Sequence, residues 1–370
     1  MAEVIITGQD SQTLASLGEF GLITALSSWL PPGRRTLVGI GDDAAVLAVP
    51  DGRVVATTDF LLEGRHFRRD WSGAADVGHK AAARSLADLA AMGAEASALL
   101  VALAAPADLP VSWARELAEG LAAECARAGA SVIGGDTARA EQVVLAVTGL
   151  GDLAGRAPVL RSGAAPGDQV AVAGPLGHAA AGLALLTAAL SDDDLVARDD
   201  LVVAHLRPAP PYDAGPEAAD LGATAMIDIS DGLLADLGHV AAASGVRVDL
   251  AADALRPGDR LLTAARAVLD AAGNASSGRT GPGSRPGPAG PPPSADALQV
   301  QALTLKQALT LKQALGWVMT GGEDHSLAAT FPPGTRLPPP WRVIGAVRPG
   351  HGVVVDGQPW AGAPGWDHFA

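Results

Sequence analysis

The residues that could do chemistry in this chain are acidic, and most stand beside glycine or at the end of an apolar run. In order they are Gly41-Asp42-Asp43, Thr57-Thr58-Asp59, Asp88, Gly134-Gly135-Asp136-Thr137, Asp228-Ile229-Ser230-Asp231-Gly232 and Gly321-Gly322-Glu323-Asp324. Asp and Glu beside Gly are ordinary turn residues, so any one of these taken alone reads as a turn. Their joint pattern reads differently. Asp59 and Asp136 both follow apolar, strand-like runs, where a carboxylate would emerge at a sheet edge. Asp88 falls inside the mostly apolar helical segment Leu86 to Met92, and a charge buried there must be paired or bind a metal. Magnesium is a hard cation that takes oxygen ligands, usually a few carboxylates with phosphate oxygens and water. Aspartates converging from separate loops would supply a multi-metal site for a triphosphate.

Such a set needs a scaffold of alternating elements. In residues 1–155, the runs Val54–Phe60, Ala98–Ala104 and Val143–Leu150 predict strands. Between them, helices are expected over His79–Met92, stopped by Gly93, and from an N-cap at Ser112 to Ala128, stopped by Gly129. The turn-rich Gly155 to Asp168 then opens a second region. It predicts a strand at Gln169–Ala173, a helix after Gly177, a strand at Thr224–Ile229, a helix at Gly232–Ser244, and short strands from Trp341 onward. The expectation is an α/β protein of two domains, 1–155 and 156–370, with an insertion at about 271–312. Gly273 to Pro293 is mostly Gly, Pro, Ser and Ala and is expected to be a mobile surface loop. After it the hexamer Gln-Ala-Leu-Thr-Leu-Lys occurs twice, at 301–306 and 307–312. A six-residue step turns a helix by ~600°, so equivalent leucines would wind around it. The duplication reads as local, with no functional role.

Composition excludes several classes. A formal charge of −14 argues against nucleic-acid or anionic-membrane partners, which need basic surface. Cys125 is the single cysteine, which excludes an internal disulfide and a thiolate metal cluster. The most apolar stretch, Ser97 to Pro106, is too short to span a bilayer, and the first basic residue is Arg34, so a cytoplasmic location is expected. No P-loop, protein-kinase motif set or Gly-x-Ser-x-Gly elbow is present. Gly39-Ile40-Gly41-Asp42-Asp43-Ala44 only superficially matches a dinucleotide fingerprint, since Pro50-Asp51-Gly52 makes a turn before any helix.

In this order the acidic motifs resemble those of the thiamine-monophosphate kinases, within the larger family that includes aminoimidazole ribonucleotide synthetase and selenophosphate synthetase. The resemblance runs from Gly18-Glu19-Phe20 to Gly365-Trp366-Asp367-His368-Phe369, apart from about 271–312. It also takes in Glu63-Gly64-Arg65-His66-Phe67 and Arg161-Ser162-Gly163. It implies ATP-dependent phosphorylation of thiamine monophosphate to thiamine diphosphate. It further implies paired α/β domains, with two N-terminal domains joining in a homodimer through a shared β-barrel. By resemblance, Asp43, Thr57, Thr58, Asp59, Asp88, Asp136, Asp228 and Asp231 hold several magnesium ions. Gly135, Asp136, Arg161 and Ser230 match ATP contacts, while His66, Glu323 and Trp366 match substrate contacts.

Read as residues, His66 offers an imidazole to a phosphate or is a surface loop histidine. Arg161 offers a bidentate fork or a surface ion pair. Trp366 offers a face to a cationic ring or packs the tail. His79, His205, His239 and His351 read as structural or exposed, and the other tryptophans as packing residues.

Three departures from the family pattern stand out. Arg84-Ser85-Leu86-Ala87 replaces a segment that usually carries Asn and Ser before the aspartate. His325 stands where tyrosine is usual, a change expected to matter little, and Trp366 also replaces tyrosine. The alternatives are another ATP-dependent phosphotransferase or synthetase of the superfamily, or a non-catalytic metal-binding member. No N-terminal or C-terminal reactive cysteine supports the selenophosphate or hydrogenase-maturation branches.

Overall fold

The computed structural model describes residues 12–40, 44–188, 199–277 and 295–362. Asp43 and Trp366 lie outside them, as does 278–294, which holds most of the expected loop.

The N-terminal half contains helices α1 (Leu14–Leu17), α2 (Glu19–Trp29), α3 (Ala74–Ala91) and α4 (Val111–Arg127). Its strands are β1 (Thr36–Val38), β2 (Val46–Leu47), β3 (Val55–Leu62), β4 (Glu95–Ala105), β5 (Val132–Arg139) and β6 (Val144–Asp152). β1 and β2 pair alone, while the other four form a sheet in the order β3-β6-β4-β5. The C-terminal half adds β7 (Gln169–Ala173), β8 (Ala225–Ile229), β9 (Arg247–Leu250), β10 (Ser326–Phe331), β11 (Trp341–Arg348) and β12 (Gly352–Val355). They form a second sheet in the order β12-β9-β11-β7-β10-β8. Its helices are α5 (His178–Thr187), α6 (Asp199–Leu206), α7 (Ala214–Asp220), α8 (Leu233–Ser244), α9 (Asp259–Ser277) and α10 (Ala295–Thr320). The protein is thus a mixed α/β chain of two sheet-containing domains.

Side-chain alternation along each strand decides what the two sheets can do. The second sheet is covered on both faces. Val170, Val172, Ile227 and Ile229 pack with α5, α8, α9 and α10, whereas Ala171, Ala173, Met226, Leu327 and Phe331 pack with α7 and the end of α3. The first sheet is covered on one face. Leu61, Leu99, Leu145 and Val147 pack under α3 and α4, while Phe60 on the opposite face is 60% exposed.

Two helix starts differ from expectation. α3 begins at Ala74, about a turn before His79, because the Asp76 carboxylate accepts from the Gly73 N–H at 2.9 Å. α4 begins at Val111 with Pro110 in the cap position, so Ser112 lies in the first turn and does not cap it. The repeated hexamer lies within α10, where Leu305, Leu309 and Leu311 are exposed. Among the described residues no helix is long and apolar enough to cross a membrane.

α3 and α4 cross at glycine contacts. A Cβ on Gly78 would sit 2.1 Å from the Leu117 carbonyl oxygen, and one on Gly120 would sit 2.1 Å from that of Ala75. Backbone is on both sides, so neither contact can relax by a rotamer change. Gly78→Ala is therefore expected to cost about 1–3 kcal/mol. Urea unfolding should show a lower midpoint at an unchanged slope.

Candidate active site

α3 and the second sheet face each other across a cavity of about 720 Å³. Asp59, Asp88, Asp228, Ser230, Asp231 and Glu323 line it, with His66 on its wall. β3 supplies Thr57 and Asp59 on the face that meets α3, and α3 supplies Asp88. The Thr57 hydroxyl donates to Asp88 at 2.6 Å, and the Ser85 hydroxyl donates to Asp59 at 2.9 Å. Ser85 thus supplies a helper hydrogen bond in the segment that departs from the family pattern. From the end of β8, Asp228 accepts from His325 Nδ1 at 3.1 Å, and that histidine is 2% exposed. His325, expected to be a replaceable departure, therefore packs into the acidic site.

The carboxylates are close enough to oppose each other's ionisation. Burial, then the charges of Asp228 and Asp59, push Asp88 up to about 7. Burial and the Asp228 charge push Asp236 up to about 8, although it accepts from the Asp231 and Gly232 N–H groups at 3.1 and 3.0 Å. Asp236 fixes the loop that presents Ser230 and Asp231.

A second loop crosses close by. The Glu323 and His325 N–H groups donate to the Ser230 and Ile229 carbonyls, and a Cβ on Gly322 would lie 2.2 Å from the Ser230 oxygen. Only glycine permits that crossing. Asp324 points the other way and accepts from the Gly177 and Ala179 N–H groups at the start of α5. Burial lifts it to about 7 against those bonds.

Glu323 was expected to touch substrate, and in the structure both its oxygens are engaged. Lys80 Nζ donates to Oε2 at 2.5 Å and Arg84 Nη1 to Oε1 at 3.1 Å. Burial lowers Lys80 and by itself would lift Glu323, but the Lys80 and Arg84 cations beside it hold the Glu323 carboxyl well below the usual carboxylate range. His205, read from sequence as structural or exposed, lines the same cavity, with Nδ1 3.8 Å from Glu323. Burial and the Lys80 charge hold it neutral, down to about 3. His66 Nδ1 accepts from the Leu62 N–H at 3.0 Å, which leaves the proton on Nε2.

The other expected residues lie elsewhere. Thr58 alternates to the opposite face of β3, where its hydroxyl accepts from Thr148 at 3.1 Å. Asp136 pairs in register with Ala102, which pairs with Ala146 and then Phe60, so it too leaves the sheet on that face. Gly135 and Asp136, neighbours in β5, line a second cavity of about 890 Å³. Arg161 is exposed and lines neither cavity.

Comparison with known proteins identifies the architecture. Residues 41–153 match AIR synthase related protein, N-terminal domain, and residues 165–280 match AIR synthase related protein, C-terminal domain. A thiamine-monophosphate kinase of Mycobacterium tuberculosis is 44% identical over 361 residues, covering 97% of this chain and 94% of its own. The crystal structure of thiamine-monophosphate kinase from Stenotrophomonas maltophilia K279a has a TM-score of 0.68 at 31% identity, covering 91% of this chain and 95% of that one. AaThiL complexed with AMPPCP and TMP has a TM-score of 0.68 at 30% identity, covering 97% and 99%. This chain belongs to the thiamine-monophosphate kinase family.

The raised Asp88 has a consequence for stability. A carboxyl whose folded value lies above its ordinary 3.8 binds more protons folded than unfolded. Its protonated form favours folding at low pH, and that contribution is lost as pH rises from about 4 to about 7. Asp236 and Asp324 act with the same sign. Without divalent ions or nucleotide, Asp88→Asn is expected to be more stable than the parent at pH 8, by on the order of 2–4 kcal/mol. At pH 4 the two should unfold together. Chemical denaturation at the two pH values checks this.

Proposed function

We propose that this enzyme transfers the γ-phosphoryl group of ATP directly to the phosphate of thiamine monophosphate, in the cavity between α3 and the second sheet. The observation that carries the reading is the meeting of Asp59 and Asp88, from one domain, with Asp228, from the other. It is supported by membership of the kinase family and by a solved relative complexed with AMPPCP, an ATP analogue, and TMP.

The chemistry needs little general-base help. A phosphate monoester loses its second proton near pH 6, so the acceptor arrives as a nucleophilic anion. The difficulty is repulsion between two polyanions, and the protein must supply positioning and charge. Asp59, Asp88 and Asp228 are hard oxygen donors, and burial, with the Asp228 and Asp59 charges added to it, raises Asp88 in a way a bound cation would reverse. These are the residues that would hold magnesium, with Asp231 and Thr57 beside them. Among the described residues no group of three or more His, Cys, Asp or Glu side chains is placed to hold a metal ion by itself, so phosphate oxygens and water would have to supply much of the shell. Magnesium held there would neutralise negative charge on the phosphates. Ser230 and the Asp231 loop, held by Asp236, would face the nucleotide, and the His66 Nε2 proton would face the acceptor phosphate.

We also propose a homodimer through the open face of the first sheet, where a second copy would cover Phe60. Gly135 and Asp136 would then contribute to nucleotide binding at that junction. The boundary between the domains is proposed near residue 155.

Incubation with ATP, magnesium and thiamine monophosphate should give thiamine diphosphate and ADP, while free thiamine should give no product. Asp88→Asn is expected to lower turnover about 100-fold or more. Near-parental turnover would remove the metal-site reading. Phe60→Glu is expected to shift light scattering from dimer to monomer mass, and an unchanged mass would remove the proposed interface.

A further inference from the structure

Three polar side chains recur every fourth residue along α3, at Lys80, Arg84 and Asp88, and so share one helix face. Lys80 is 2% exposed and sits 2.5 Å from Glu323 Oε2. His205 beside them is neutral. Arg84 is a second cation beside Glu323. Its Nη1 shares Glu323 at 3.1 Å, and its Nη2 stands 3.9 Å from Asp59 Oδ1. Its Nε is buried without a hydrogen-bond partner among the described residues. It also lines the same cavity as Asp59, Asp88 and Asp228.

A buried N–H left without an acceptor is costly, which suggests that a ligand oxygen takes its place when the site is filled. The guanidinium is a rigid planar fork, suited to two oxygens of one phosphate. Its neighbour Asp59 is proposed above to turn toward cations, which would weaken its hold on Arg84.

We propose that Arg84 contacts the phosphoryl group in transit between ATP and the acceptor, exchanging its partial contacts with Asp59 and Glu323 for the equatorial oxygens of that group. The inference rests on the reading of this cavity as the transfer site. In the step, an oxygen of the acceptor phosphate forms a bond to the γ-phosphorus as the bond to the bridging oxygen of ADP breaks. The electron pair of the broken bond leaves with ADP. Arg84 neither gives nor takes a proton, and Lys80 acts as a positioning residue that occupies Glu323 and leaves Arg84 available.

The test compares the full-length parent with Arg84→Gln and Arg84→Lys by steady-state kinetics. Calorimetry then measures binding of ADP with magnesium, with and without aluminium fluoride, a mimic of the planar phosphoryl group. Arg84→Gln should lower kcat about 1,000-fold, with either KM changing less than about threefold. It should weaken aluminium fluoride capture about 100-fold or more while leaving ADP affinity near parental. Arg84→Lys should recover about tenfold of the lost kcat, since a point charge replaces part of the fork. If Arg84 only straps α3 to the Glu323 loop, both KM values and the melting temperature will shift together with kcat, and that result overturns the proposal. A kcat within about threefold of the parent overturns it as well. Should the parent make no thiamine diphosphate, the reading of the acceptor fails. The aluminium fluoride comparison, which needs no acceptor, still decides Arg84, and equal capture by parent and Arg84→Gln overturns its assignment.

Discussion

Carboxylate repulsion in a closed cleft is the constraint on which the rest of this structure depends. Asp59 and Asp88 belong to one domain and Asp228 to the other, so their repulsion acts to open the cleft between the domains. The opposing forces cross the same gap. Lys80 and Arg84 reach from α3 to Glu323, positions far apart in the chain, separated by 243 and 239 residues. The end of α3 also buries Ala90 and Ala91 against the second sheet, beside Ala173, Met226 and Leu327. Each carboxylate further receives a side-chain donor: Thr57 to Asp88, Ser85 to Asp59 and His325 to Asp228. One hydrogen bond to a charged group is worth ~1.5–3 kcal/mol. That partly offsets the crowding, yet Asp88 remains raised. The acidic site is held together by its surroundings.

The Gly-Gly-Glu-Asp-His loop shows how the backbone serves this arrangement. Glu323 and His325 both adopt positive φ, at 66° and 51°. Left-handed backbone costs a non-glycine residue about 1–2 kcal/mol. The cost is tolerated because alternate residues can then serve different elements. Glu323 meets Lys80 and Arg84, His325 meets Asp228, and Asp324 between them turns to the start of α5. The two N–H groups bonded to Ser230 and Ile229 lock the loop to the end of β8. A single turn thus coordinates the acidic site, the interdomain pair and a helix start.

Much of this was legible from residue patterns, and the misses have a common cause. Apolar runs located β3, β4, β6, β7 and β8 because packing on a sheet requires them. Asp88 was recognisable as a carboxylate in an apolar helical setting that demands a partner, and Asp59 as one that follows a strand-like run. Strand parity was the missed signal for Thr58 and Asp136. Both lie in motifs rich in glycine or threonine, yet alternation carries them to the face opposite Asp59. That parity could have been counted within β3, where Thr57 and Asp59 share a face and Thr58 cannot. Lys80, Arg84 and His205 were missed because their partner is remote in sequence. The one local trace of Lys80 and Arg84 was their four-residue spacing with Asp88 in a mostly apolar helix, in a chain with only three lysines. The helix start at Gly73 was hidden because Asp76 reaches back three residues to cap it.

That spacing also organises charge along the cleft. Four residues of helix rise about 6 Å, so α3 carries two cations and then an anion over about 12 Å. The opposing domain does not alternate in the same way: it presents Glu323 to the cations and Asp228 to Asp88. At the Lys80 end opposite charges meet and cancel, and the domains are fastened. At the Asp88 end like charges meet, and the proposed magnesium ions would relieve that repulsion. A polyphosphate carrying such ions would be drawn to the second end, and its free oxygens would meet Arg84 between the two. The sign change along one helix thus separates the part of the cleft that holds the protein together from the part left unfinished for a ligand.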